Sequence, residues 1–395
     1  MISTRRLVAL RGLVLGIAAC SSPAPRVGVV AVVPPRPGTP IPSAVEFRVP
    51  KAPTVANSDS GTFVGYELHV TNLTPGAMSL RRVEVLDADK GTVLSSLADS
   101  ALLRAVARAG APVPIAERLQ IGGGLRAYVY LWMPVEAGSP LVRLRHRLTL
   151  RKLTGDSATE VLDGAEVPVE RAAVAIGAPL RGEWAAFNGP SNASGHRRLV
   201  MAFDGHVASG QRYAIDFLQV DSIGGSRRPG SDASKNANYY AYGSELYAVA
   251  DGVVLATKDS IPENVPGANS RAVPINLVTV GGNYVGIDIG NGKYALYAHI
   301  QPGTLRVKVG DRVKRGQVVG LLGNSGNSTE PHLHFQVADA PVFLSSEGVP
   351  YATDFEVLGN CGIGGNPPAI RCTRHAPTAV KGGIPLQNEL VRFPR

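Results

Sequence analysis

Pro331-His332-Leu333-His334-Phe335-Gln336-Val337 is the stretch from which the rest of the chain can be read. Its apolar and polar residues alternate with period two, the pattern of a β-strand with one face against a core. Residues two apart on a strand project from the same face, so His332 and His334 point one way while Leu333 and Phe335 go to the core. Two adjacent imidazoles are costly to hold together unless something engages them. A metal ligand beside a catalytic partner is the simplest account, and a wetted polar strand face is the bland one.

Two further stretches carry ionisable groups in strand-like settings. In Arg212-Tyr213-Ala214-Ile215-Asp216-Phe217-Leu218, Tyr213, Ile215 and Phe217 form one face and leave Asp216 on the other with Ala214 and Leu218. A carboxylate among apolar neighbours is poorly solvated, and either a cation such as zinc or a salt bridge would relieve that cost. Tyr294-Ala295-Leu296-Tyr297-Ala298-His299-Ile300 places His299 near a strand end, where a lone histidine can equally be structural.

Outside these segments the chain of 395 residues has enough apolar material, 44%, for real cores, and its 45 Gly and 30 Pro favour short strands joined by turns over long helices. The length predicts two folded units plus extras. Residues 1–19 read as a signal peptide: Arg5, Arg6 and Arg11 flank a short apolar run that ends in Ile17-Ala18-Ala19-Cys20. That tetrapeptide resembles a lipobox, which makes Cys20 the lipidated residue and the membrane a partner through a lipid anchor. Residues 20–43 form a Pro-rich tether. Residues 44–172 alternate in short runs, as in Thr62 to Val70, and predict an antiparallel, immunoglobulin-like β-sandwich with a helical interruption at Ser100 to Arg108. His69 and His146 stand alone in these strand patterns and read as structural. Residues 176–359 form a second strand-rich unit with all the chemistry, and residues 360–395 read as an irregular C-terminal arm. In an oxidising compartment Cys361 and Cys372 would close a disulfide around a Gly/Pro-rich loop, worth about 3 kcal/mol in the chain-entropy model. The formal net charge of +9 falls to +6 once the three arginines of the signal peptide are removed, a modest excess that suits a polyanionic surface such as a bacterial envelope. It is too diffuse for nucleic acid, since no basic run interleaved with aromatics appears.

Taken in order, Val249-Ala250-Asp251-Gly252-Val253-Val254, Tyr297-Ala298-His299, Val307 to Gly320 with its Gly310-Asp311 turn, Gly323-Asn324-Ser325-Gly326-Asn327-Ser328 and the His-Leu-His pair resemble the lysostaphin-type, LytM-like (duplicated hybrid motif) zinc metallopeptidases over residues 180 to 345. The Gly-Asp hairpin also occurs in biotin- and lipoate-carrier domains, which have no His-x-His strand. The resemblance implies an antiparallel-sheet peptidase domain holding one zinc ion, with Asp216 and His334 as ligands and His299 and His332 as the unligated catalytic pair. The sequence departs from the family at the third ligand. The usual His-x-x-x-Asp would put a histidine where Arg212 stands. His196, whose setting from Asn188 to Ser194 resembles the active-site loop of divergent members, is favoured over the alternative, His206. The implied activity is endopeptidase hydrolysis of peptidoglycan peptides in the cell envelope, at the periplasmic face of the outer membrane. The alternative is an inactive regulator or scaffold that binds the wall or activates other wall hydrolases. The inserted segment Ser222 to Tyr242 is expected to border the cleft. The N-terminal domain is left three roles: shield, dock for an envelope protein partner, or spacer.

Overall fold

The computed structural model describes residues 44–394 apart from 111, 154, 156, 172, 268–270 and 365–368, so the leader, Cys20 and the tether lie outside the described residues. Among the described residues, no helix is long and apolar enough to cross a membrane.

The first unit is a two-sheet sandwich. One sheet runs Val45–Arg48, Gly61–Asn72, Arg126–Val135, Val106–Arg108, with Val55–Ser58 added to Gly61–Asn72. The other runs Thr159–Pro168, Arg143–Lys152, Met78–Asp87, Val93–Ala98, with Gln120–Ile121 on Met78–Asp87. Alternation accounts for the packing. Along Arg143–Lys152, Leu144, Leu148 and Leu150 turn inward against Leu68, Val70, Leu80 and Val83, while Arg143, Arg145 and Arg147 pair across the outer face with Glu166 and Asp163. His146 is buried with these leucines, its Nε2 2.9 Å from the Tyr66 hydroxyl, and burial pushes its pKa down to about 4. His69 is also buried, packed edge-on to Tyr128. The helix is shorter than the sequence suggests: Asp99–Ala105 is helical, but Val106 is extended and Val106–Arg108 joins the sheet. A β-branched residue that can be fully buried beside Val129 gains more there than in a last helical turn.

The second unit is an eleven-stranded sheet among the described residues. Its order is Val174–Ala175, Tyr351–Gly364, Glu389–Phe393, Gly182–Phe187, Ile215–Leu218, Leu333–Ala338, Tyr294–Ile300, Asn283–Asp288, Gly252–Lys258, Arg312–Val313, with Ala369–Gly383 added to Tyr351–Gly364. Every pairing is antiparallel except the first. Ile215, Phe217, Leu333, Phe335, Val285 and Tyr297 form the core under one face. The three stretches singled out by sequence are adjacent strands at its centre.

Two expectations need correction. The C-terminal segment is not irregular. Tyr351–Gly364 and Ala369–Gly383 form a long hairpin bridged by the Cys361–Cys372 disulfide, and Glu389–Phe393 lies inside the sheet. Most of Ala369–Gly383 is exposed, so it shows no apolar period to read. The insertion Ser222 to Tyr242, expected to border the cleft, supplies none of the residues that line it. It packs on the segments next to them, with Ser226 donating to Glu330 at 2.6 Å, Asn324 donating to Asn236 at 2.9 Å and Tyr242 donating to Glu263 at 2.8 Å.

The two units share an interface that explains an odd burial pattern. Gly61–Asn72 is buried almost without alternation, because its second face meets the second unit's sheet instead of water. Phe63 enters that sheet's core, stacked on Trp132 at 4.0 Å between centroids. Glu67, 2% exposed, receives two arginines from the second unit. Arg197 Nε donates to it at 3.2 Å, and Arg212 Nε donates at 2.8 Å. Arg212 also pairs with Glu347 at 2.7 Å and donates to the Gly348 carbonyl at 3.1 Å. Burial alone would raise the Glu67 carboxyl, but Arg212 and Arg197 together hold it below its ordinary value.

Candidate metal centre

Strand register builds the site. Asp216 lies directly opposite His334, and His334 lies opposite Ala298 on its other side. Cross-strand partners share a face, so Asp216 and His334 project together. His299, one residue after Ala298, should by alternation point to the opposite, core side. It does not, because its φ is +65°. That left-handed twist, costing on the order of 1 kcal/mol for a residue with a Cβ, swings the ring to within 4.7 Å of His332 and 5.9 Å of His334, centroid to centroid. The twist is held by the His299 N–H donating to Gly281 and its carbonyl accepting from Gly323. Gly282 and Gly326 allow the backbones here to touch; a Cβ at Gly326 would overlap Gly282.

His196 arrives from outside the sheet, on the one-turn helix Gly195–Arg198. Its Nε2 is 3.3 Å from Asp216 Oδ2, and its ring lies 4.7 Å from that of His334. His196, Asp216 and His334 offer donor atoms all within 4.8 Å of one another. His206 is not brought to them; it is exposed on the hairpin strand His206–Ala208. Arg212, in the position of the usual family histidine, is used instead to bind Glu67.

Hydrogen bonds fix which nitrogen each ring presents. His299 Nδ1 donates to the Ser325 carbonyl at 2.8 Å, and His332 Nδ1 donates to the Glu330 carbonyl at 2.8 Å. A carbonyl only accepts, so both rings turn Nε2 toward the cleft. His334 is held the opposite way round. Gln336 Nε2 donates to the carbonyls of Gly210 and Phe343, both at 3.1 Å, which turns its oxygen to accept from His334 Nε2 at 2.9 Å. His334 Nδ1 is then a lone pair 2.9 Å from Asp216 Oδ1. Two acceptors face to face repel unless a proton or a cation lies between them, and the His, Asp, His donor set is one that divalent zinc accepts. Gln336 follows from the alternation of 332, 334 and 336, a signal the sequence reading passed over. Asn188, the first residue of the loop that carries the resemblance, donates to Asp216 Oδ2 at 2.8 Å.

The charges are strongly coupled. Burial would raise the Asp216 carboxyl, but the neighbouring His196 and His332, the latter also through a hydrogen bond, hold it well below the usual carboxylate range. Burial lowers His196 to about 4 against the pull of Asp216, and burial with the neighbouring His332 and His334 pushes His299 well down. His332 is the exception: burial lowers it, yet Asp216, 3.5 Å from its Nε2, leaves it raised. The site opens on a cleft of about 380 Å³ lined by all five residues and by Gln211, Asn327, Thr329 and Phe343 among others.

Residues 237–344 match the description Peptidase family M23. The chain is 36% identical over 113 residues to the peptidoglycan DD-endopeptidase ShyA of Vibrio cholerae, covering 28% of this chain and 22% of that protein. It is 49% identical over 57 residues to the glycyl-glycine endopeptidase ALE-1 of Staphylococcus capitis, covering 14% of this chain and 15% of that one. The chain thus spans 22% and 15% of the length of these two curated relatives. Among solved structures, the catalytic domain of lysostaphin from Staphylococcus simulans aligns at 23% identity over 40% of this chain and 80% of that one, with a TM-score of 0.21. The matched family segment contains His299, His332 and His334, whereas His196 and Asp216 lie upstream of it. Over residues 237–344, then, the chain resembles Peptidase family M23.

Proposed function

We propose that the protein is an exported zinc metalloendopeptidase that hydrolyses peptide bonds of peptidoglycan. His196, Asp216 and His334 would hold one zinc ion. The observation that carries this reading is the His334 lone pair set against the Asp216 carboxylate, with His196 closing the third side. The names of the relatives, both endopeptidases, support the reaction class. The basic leader and Cys20 support export and a lipid anchor in the envelope.

Zinc in that donor set supplies Lewis acidity and a nucleophile available at neutral pH. The protein's own groups do the rest. His332, with Nδ1 tied to the Glu330 carbonyl, presents Nε2 to donate to the oxygen that gains charge as the peptide carbonyl is attacked, a contribution of about 10²–10³ in rate. His299, with Nδ1 tied to Ser325, can accept a proton at Nε2 and pass it to the leaving amine, worth about 10²–10⁴.

Digestion of purified peptidoglycan, with mass spectrometry of the fragments, tests this. Cleaved cross-links are expected from the wild type, with zinc bound one per chain. His299→Ala should retain zinc and lose activity by about 10²–10⁴, and His334→Ala should lose the zinc. Zinc uptake without any cleavage would instead favour the regulatory role, and no zinc uptake would remove the enzyme reading.

A further inference from the structure

Resting on the zinc reading, we propose that the N-terminal sandwich sets the geometry of the metal centre, with Glu67 as a positioning residue for His196.

The helix that carries His196 has four residues and no side-chain cap. A single turn is too short to hold itself, because nucleation is unfavourable and propagation never begins. Its placement must come from contacts outside it. Some tie the loop to itself: Ser194 Oγ donates to Asn188 O at 2.6 Å and Arg198 Nε to Asn192 O at 2.7 Å. Ser191 also donates to Gln387 of the second unit, and further contacts reach the sandwich. Arg197, the next residue after His196 and 1% exposed, forks Nη2 onto the carbonyls of Tyr66 at 2.9 Å and Leu131 at 2.8 Å, while its Nε meets Glu67. Tyr66 and Leu131 face each other across one strand ladder, so the guanidinium seats on two strands at once. Gly65 leaves the room: a Cβ there would stand 3.3 Å from Arg197 Nη1. The hydroxyl of Tyr130 donates to the Arg198 carbonyl at 3.4 Å.

The same carboxylate governs the second donor. Arg212 lies four residues before Asp216 and ends on the other oxygen of Glu67 at 2.6 Å, and Tyr213 donates to Gly65 O at 2.8 Å. One buried acid in the sandwich therefore ties down both segments that deliver His196 and Asp216. This also gives Arg212 a purpose: the position that could have held a ligand serves the brace, and the ligand comes from the braced loop. The sandwich is then part of the active unit, beyond its roles as shield, dock or spacer.

The test uses the full chain and zinc alone. Zinc affinity is measured by competition with a chromophoric chelator, alongside thermal melting and the visible spectrum of the cobalt-substituted protein. Glu67→Gln is expected to weaken zinc binding by about 10–100-fold, the size of effect that supporting contacts have on metal sites, and to shift the cobalt bands as His196 leaves its place. Since Glu67→Gln can also unfold the interface, Arg197→Lys is the second variant. Lysine keeps the charge beside Glu67 but cannot fork onto two carbonyls, and the same loss and band shift are expected. Asp163→Asn, in the exposed pair with Arg147 on the sandwich, should change nothing. A folded Arg197→Lys protein with wild-type zinc affinity and cobalt spectrum overturns the proposal while leaving the zinc reading intact. A wild type that takes up no zinc overturns both.

Discussion

Replacing Gln336 by leucine separates the metal centre from the fold beneath it. Gln336 is fully buried and makes three hydrogen bonds, one received from His334 Nε2 and two given to Gly210 O and Phe343 O. Leucine of similar size removes all three. Each buried polar group left without its partner costs about 1–3 kcal/mol, and apolar burial of the new side chain returns about 1–2 kcal/mol. The net loss of stability should be about 3 kcal/mol, read from urea unfolding in the presence of chelator. The zinc effect is separate. With no acceptor at Nε2, the His334 proton is free to move to Nδ1, which withdraws the lone pair that faces Asp216. Loss of such support costs about 10–100-fold in metal affinity. Gln336→Glu provides the contrast: it keeps an oxygen toward His334 but abandons both donations. Its zinc affinity should stay within about threefold of wild type while its stability falls like that of the leucine variant. If Gln336→Leu binds zinc as tightly as wild type, the assignment of His334 Nδ1 as the donor is wrong.

Three other perturbations follow from the same geometry. His196→Ala should abolish stoichiometric zinc binding and His206→Ala should leave it untouched; equal losses in a chelator competition would contradict the choice between them. Glu389, buried at the start of the last strand, is raised to about 9 by burial and by the nearby Asp59 carboxyl. A proton held more tightly in the folded state than in the unfolded one stabilises fully below pH 4.5, and that contribution drains away as pH rises toward 9. Glu389→Gln should therefore gain stability relative to wild type at pH 8 and little at pH 5; parallel urea curves at both pH values would rule this out. Replacing both Cys361 and Cys372 by serine should cost roughly 3 kcal/mol in the chain-entropy model with no change in zinc affinity, since the hairpin lies away from the cleft; a change in zinc affinity would count against that separation.

How much of this was legible in the sequence depended on the kind of force involved. Strands packed on one face announce themselves, because alternation records where water is: Arg143–Lys152 and Leu333–Ala338 could be read directly. The hairpin Ala369–Gly383 could not, since its exposed residues gain nothing from an apolar period and its stability comes from backbone pairing and the disulfide. Gly61–Asn72 misled in the opposite sense. Its polar positions mark a second buried face, and the signal was a lone Glu67 amid residues that would not solvate it. An acid there demands a cation, and the sequence does not say from how far away the cation comes.

The metal centre divides along the same line. Asp216 and His334 stand opposite one another by register; alternation put each on a strand face, and the family resemblance joined the two. His299 needed more, because a regular strand would have sent its ring into the core. Only a backbone turned to φ +65° puts it beside His332, and the glycines at 282 and 326 that make room for the turn carry no histidine signal of their own. His196 lay furthest from what the sequence encodes locally. Its helix is one turn long, its spacing to Asp216 fits no fixed motif, and what holds it is a carboxylate more than a hundred positions upstream. Positions set by register survive as readable patterns, whereas the place of His196 depends on a contact between residues far apart in the chain, which leaves no local pattern to read.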